Sequence, residues 1–139
     1  MKTTQKIITI VITMVIAVFF IAGNTNAQAK KPWDIPAAAK SAKSTVNLKD
    51  AGTISNGKDL WAKHCKSCHG SKGLGDGPKA ASLKTNPGDF TAAAFQGQSD
   101  GDLFFETSKG RDEMPAYEKK IPEANDRWAL VAFMRTLKK

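Results

Sequence analysis

Cys65-Lys66-Ser67-Cys68-His69 is a Cys-x-x-Cys-His run, and its two cysteines are the only ones in the 139-residue chain. Such a run reads as a covalent attachment site for c-type haem. Two thiols about one helical turn apart can reach the two vinyl groups on one edge of a porphyrin. The histidine that follows then lies beneath the ring, with an imidazole nitrogen free to bind iron.

Three other readings of the pentapeptide fare worse. A structural zinc site needs four Cys or His ligands, normally as two separated pairs. Cys65, Cys68, His69 and His64 are the whole supply, and four ligands within six residues cannot easily surround one ion tetrahedrally. A thioredoxin-like pair belongs at a helix N-terminus in a βαβ context, whereas the apolar pattern upstream is helical, so the pair closes a helix. A plain disulfide would leave His69 without a role.

The chain opens with Lys2 and Lys6, an apolar run from Ile7 to Ala22, and a polar stretch ending Ala27-Gln28-Ala29. That is the pattern of a secretory signal peptide over residues 1–29, cleaved after Ala29 or Ala27. The run is shorter than the roughly 20 residues of a membrane-spanning helix, which disfavours an uncleaved anchor. A periplasmic location is expected, and it suits a haem attached outside the cytoplasm. The full chain carries 21 basic and 13 acidic residues, a net +8; loss of Lys2 and Lys6 with the leader leaves +6. An exported domain rarely meets nucleic acid, so this excess points to an acidic redox partner or to a solvated lysine surface. Membrane contact is expected only through partners or an uncleaved leader.

Residues 30–52 are rich in Lys, Ala and Ser, with Pro32 and Pro36 near the front. They read as an N-terminal extended arm, with Trp33 and Ile35 apolar enough to dock on the domain. The domain proper is placed at 53–139, a size at which a protein core alone gives a thin margin. A buried haem would supply the missing apolar centre.

The pattern predicts an all-α fold with three main helices around one covalently attached haem. The first starts near Ser55 as N-cap and runs to the cysteines; Gly57, Trp61 and Cys65, at steps of four, share one face. A helical glycine costs about 1 kcal/mol against alanine, so close approach by another helix is expected there. A shorter helix runs from Ser99 or Asp100 through Leu103, Phe104 and Phe105 to a stop at Gly110. The last starts near Pro122 and carries Leu130, Phe133, Met134 and Leu137 as an i, i+3, i+4, i+7 stripe, widened by Trp128 and Val131.

Iron held by one histidine needs a second ligand or an open position. Beyond the leader, Met114 and Met134 are the two thioethers. Met134 lies on the apolar helix stripe and reads as core. Met114 stands in a charged loop after Gly110, with Pro115 fixing the backbone just past it, and is the candidate second ligand; its alternative is to plug a surface cleft. His64, beside Cys65 on the same helix, would point along the wrong side. A His/Met pair raises the potential relative to two histidines and leaves no place for substrate.

With CxxCH, Met114-Pro115 and the two flanking helices in order, residues 53–139 resemble a class I cytochrome c with a single haem. The resemblance implies thioether bonds at Cys65 and Cys68, His69 as proximal ligand and Met114 as distal ligand. It also implies a glycine/aromatic crossing of the first and last helices, matched by Gly57 and Trp61 facing Leu130 and Phe133. Pro78 is the candidate for the family's proline, whose carbonyl accepts a hydrogen bond from the proximal histidine. Asn86-Pro87-Gly88-Asp89-Phe90 resembles the Pro-x-Asp-Phe segment of bacterial members, whose aromatic helps cover the haem; Trp61 joins Phe90 as a candidate haem contact.

The expected function is that of an exported, non-enzymatic carrier of single electrons between respiratory partners, a donor and an acceptor docking at the haem edge. Lys66, Lys72, Lys109 and Lys119 are rim candidates. The alternatives are a haem subunit bound permanently to a larger oxidoreductase complex, or a five-coordinate haem acting as sensor or peroxidase.

Overall fold

The computed structural model describes residues 32–139. The leader assigned to residues 1–29 and the first two residues of the arm lie outside the described residues. Six α-helical segments follow in order: α1 (Ala37–Lys40), α2 (Ala51–His64), α3 (Lys66–His69), α4 (Ala93–Gln96), α5 (Asp100–Lys109) and α6 (Ala124–Thr136). A single 3-10 turn, Ala80–Ser82, lies between α3 and α4. Among the described residues there is no strand, only an isolated bridge between Arg111 and Met114. The all-α expectation therefore holds, with α2, α5 and α6 as the three main helices.

Helix α2 starts at Ala51, five residues before the start expected with Ser55 as N-cap. Asp50 is the cap: its carboxylate accepts from the Thr53 amide at 2.8 Å and from the Thr53 hydroxyl at 3.1 Å. A carboxylate at the positive end of a helix outcompetes a serine one turn later. The boundary drawn between 52 and 53 consequently falls inside α2.

At the crossing of α2 and α6, a Cβ on Gly57 would overlap the Ala129 carbonyl oxygen and stand 2.6 Å from its carbon and 3.0 Å from Phe133 Cβ. Only a glycine lets the two backbones approach so closely. The expected partner Phe133 is there, but Ala129, not Leu130, meets the glycine. Leu130 and Val131 are fully buried deeper in the core.

Helix α6 begins at Ala124 with Glu123 as N-cap, so Pro122 precedes the helix instead of occupying its first turn. Arg127 explains the shift. Its guanidinium donates to the carbonyls of Ile121 and Pro122 and to Ser108 Oγ, pinning the approach to the helix. Every residue from Trp128 to Met134 is buried, as suits a helix enclosed on more than one side. Helix α5 matches its expected limits because both ends are coded locally. Ser99 and Asp102 form a reciprocal capping box (3.0 and 2.9 Å), and Gly110 ends the helix at φ +58°.

The arm is docked along the domain, and it contains a helical turn. Carbonyls of Ala39 and Lys40 in α1 press on Gly101 of α5, and Ser99 Oγ donates to the Lys40 carbonyl at 3.1 Å. Beyond α1, Ala42, Val46 and Leu48 pack against the core, and Thr45 donates to Asn125 Oδ1 at 2.7 Å. Among the described residues, no helix is long and apolar enough to cross a membrane.

Candidate functional site

Cys65 closes α2, donating its amide to the Trp61 carbonyl at 2.9 Å, and the next residue opens α3. The short helix carries Cys68 and ends on His69. Both cysteines are free thiols, Cys65 buried and Cys68 half-buried. Burial, and secondarily the neighbouring Cys68, pushes the Cys65 thiol up to about 12. A dithiol redox pair works through a lowered thiol pKa, so this environment suits a structural or covalently capped sulfur. Among the described residues, no three His, Cys, Asp or Glu side chains gather as a metal cluster.

His69 is half-buried, and its ring packs on Phe90 (centroids 4.6 Å apart) and Trp61 (5.7 Å). Its Nδ1 is shielded from solvent, which leaves Nε2 as the nitrogen to offer a metal. Trp61 is fixed in turn: its Nε1–H donates to the Gly70 carbonyl at 3.0 Å, and its ring meets Phe133 and Phe90. Trp61 and Phe90 thus both pack on the imidazole.

The loop after α3 folds back over it. Gly75, Gly77 and Lys79 amides donate to the carbonyls of His69, Cys68 and Ser67 at 2.9, 3.2 and 2.8 Å. These bonds satisfy the orphan carbonyls at the end of α3. A Cβ on Gly77 would stand 2.6 Å from the Lys66 carbonyl oxygen, so the backbone approach depends on that glycine. Pro78 lies between two of these donors, with an exposed side chain. It is positioned beside α3 through Gly77 and Lys79.

Met114 sits half-buried in a tight turn, its amide donating to the Arg111 carbonyl at 2.8 Å, and packs against the core. Met134 is buried in α6 as core. Tyr117, three residues after Met114, ties this loop to the cysteine helix: its hydroxyl donates to the His64 carbonyl at 2.8 Å. Burial, then the neighbouring Cys65 and Cys68, pushes that hydroxyl up to about 12, so it stays a donor. His64 packs edge-on to Tyr117 at 5.9 Å, and burial, with Lys63 and Lys120 nearby, holds its pKa below the usual imidazole value.

Three contributors escaped the sequence reading. Tyr117 is one; as the single tyrosine, two residues past Met-Pro, it carried a faint signal. Phe95 stacks on Phe90 at 4.0 Å, backing the aromatic that faces His69. Gln96 donates to the carbonyls of both Phe90 (2.7 Å) and Met134 (3.0 Å), joining the site to α6.

The donor set fits a haem. Two free thiols one turn apart are followed by an imidazole with one nitrogen shielded, and a thioether is borne on a loop tied to the same helix end. Among the described residues, Leu74 in the loop that covers α3 is the exposed large hydrophobic side chain, at 38 %.

No curated protein matches the chain significantly. Among solved structures it is similar to a chain of the reducing HAO-like protein complex of Kuenenia stuttgartiensis, at 27% identity and a TM-score of 0.60. The similarity covers 73% of this chain and 54% of that one, so this chain spans about half the length of its structural relative. The family model described as cytochrome C oxidase, cbb3-type, subunit III matches residues 52–134. That match takes in α2 with its glycine crossing, the Cys-x-x-Cys-His run, the Met114 loop and nearly all of α6. A cytochrome c domain implies covalently bound haem c and haem-based electron transfer, and the residues assembled around Cys65 and Cys68 suit both. The chain belongs to this family of c-type cytochromes.

Proposed function

We propose that the chain is an exported carrier of single electrons with one haem, attached at Cys65 and Cys68 and ligated by His69 and Met114. The observation that carries this reading is the tie between the two ligand-bearing segments. Tyr117, on the Met114 loop, bonds the end of the helix that presents both cysteines and leads into His69. When bound, the haem supplies one-electron iron chemistry. The protein's part is to hold it rigid and exclude other ligands. Trp61 and Phe90 orient the imidazole, the 70–79 loop clamps α3, and the Met114 turn would supply the thioether. With both ligands supplied by the chain no position would remain for substrate, so the role is carriage, with a donor and an acceptor docking briefly near exposed Lys66, Lys72, Lys109 and Lys119.

Visible spectra of both oxidation states test the site. The ferric protein should show the weak far-red band of sulfur-ligated haem, and Met114→Ala should abolish it. A parent protein without that band would favour the five-coordinate alternative. Electron-transfer rates to the partner should fall with added salt; indifference to salt would refute transient charged docking.

A second reading, a haem subunit held permanently in a larger oxidoreductase, is favoured by the family's description and by a structural relative that belongs to a complex. Co-purification of a stoichiometric partner through a high-salt wash would select it.

A further inference from the structure

The arm before Asp50 precedes the family match, which begins at residue 52, yet it touches the loop that carries Met114. The Arg111 guanidinium lies over the Trp33 ring, its Cζ 4.2 Å from the ring centroid. Both side chains are half-buried. Arg111 begins the turn that ends on Met114: its carbonyl accepts the Met114 amide, and the two residues form the isolated bridge.

Within the turn, Asp112 has φ +50°, the one non-glycine residue with positive φ among those described. Aspartate enters that left-handed region more readily than most side chains, and contacts from outside steady the turn. Two such contacts flank it. On one side stands Trp33; on the other, the Glu113 carboxylate accepts from the amides of Lys84 and Thr85 at 2.8 and 3.3 Å.

We propose that Trp33 is a positioning residue for Met114, the arm holding the turn through Arg111 and so setting how readily the thioether leaves the iron. This rests on the His69/Met114 reading above. Were the turn to swing away from the site so that another ligand could replace the sulfur, the Trp33–Arg111 contact would break with it. Its loss removes part of the resistance to opening. The arm's other attachments, at Gly101 and Asn125, tie it to the domain without touching the turn.

The test uses the full-length, haem-loaded ferric protein, with imidazole as the competing ligand and the far-red sulfur band as readout. Trp33→Ala should tighten apparent imidazole binding about two- to five-fold, the range of one partly exposed cation–π contact. Trp33→Tyr should restore most of the parental value. Thr45→Ala, which frees the arm at Asn125 instead, should leave binding unchanged. Arg111→Gln should reproduce the effect and serves if Trp33→Ala fails to accumulate. Parental imidazole binding in Trp33→Ala or Arg111→Gln, or an equal gain in Thr45→Ala, would refute the clamp while leaving the ligation intact. A parent protein lacking the sulfur band would overturn the ligation itself, and the clamp with it.

Discussion

Replacing Gly57 by alanine sets helix propensity against packing, and the geometry decides the outcome. In an exposed helix the change would stabilise by about 1 kcal/mol. Here the new methyl would overlap the Ala129 carbonyl oxygen and lie 2.6 Å from its carbon, where ordinary contact begins at 3.4 Å. The obstacle is backbone, which has no rotamer to yield, so α2 and α6 must part by roughly an ångström in a close-packed core. Overpacking of this kind costs about 1–3 kcal/mol, and a rigid obstacle belongs at the upper end. After the propensity gain, the net loss should be about 2 kcal/mol. Guanidinium unfolding of the ferric holoprotein, followed by haem absorbance and by far-ultraviolet circular dichroism, measures it. Gly52→Ala is the internal control: it lies in the first turn of the same helix, where the nearest neighbour is the Asp50 carboxylate at 3.2 Å, a side chain that need give only a few tenths of an ångström. That variant should cost far less than Gly57→Ala. If Gly57→Ala matched or exceeded the parent, the crossing would not be fixed by steric contact, and the physical reason given for this glycine would be wrong.

Four further outcomes are expected. His64 is held below its ordinary value of 6.5 mainly by burial; the unfolded chain therefore takes up more protons as pH falls through that value, and stability declines. His64→Gln should lessen the fall in melting temperature as pH drops below the ordinary imidazole value, and an unchanged slope would count against the assignment. Tyr117→Phe removes the hydroxyl that donates to the His64 carbonyl and should cost about 1 kcal/mol in denaturant unfolding; no loss would mean the tie is idle. Arg135 bonds Asp100 at 2.7 Å and the carbonyls of Gln96 and Gln98 at 2.9 and 2.6 Å. Arg135→Lys cannot span all three, and a thermal melt should register a loss of about 1–2 kcal/mol. Glu113→Ala frees two backbone amides of the 84–85 segment and should speed their hydrogen exchange while exchange in α6 stays at the parental rate.

The parts legible in the sequence were those whose cause is local. Helix α5 announces itself through Ser99, Asp102 and Gly110, each acting within three residues or at the adjoining turn. The Cys-x-x-Cys-His spacing carries its chemistry within one helical turn, and Gly57 in a helical pattern called for a close neighbour before any neighbour was visible. What stayed hidden depended on distant partners. Asp50 and Ser55 both suit an N-cap by residue type, and the charge that favours Asp50 at the positive end acts only once the helix starts there. The start of α6 moved because Arg127 binds carbonyls upstream of the helix, a contact that no propensity scale contains. The arm looked like an extended leader to the domain. Its packing depends on Gly101, whose missing side chain makes room for the carbonyls of Ala39 and Lys40.

Trp61 links the helix crossing to the imidazole, so on the proposed ligation stability and iron binding would be physically coupled in this chain. One face of its indole meets Phe133, the residue that also flanks Gly57, while the same ring packs on His69 and Phe90. Its N–H is committed to the Gly70 carbonyl, so the ring cannot turn to accommodate a shift without giving up a buried hydrogen bond. A displacement at the crossing is therefore passed on toward His69 instead of being absorbed by an idle side chain. The Met114 side reaches α2 at a different place: the buried Tyr117 bonds the His64 carbonyl at the helix end, away from the glycine crossing. Beyond Tyr117 its turn is held by Glu113 and Trp33, contacts that are more exposed and separable one by one. On the proposed ligation the two sides should accordingly fail in different ways. Perturbing Trp61 or Tyr117 costs global stability, whereas breaking the Glu113 or Trp33 contact loosens one loop while the crossing stays packed.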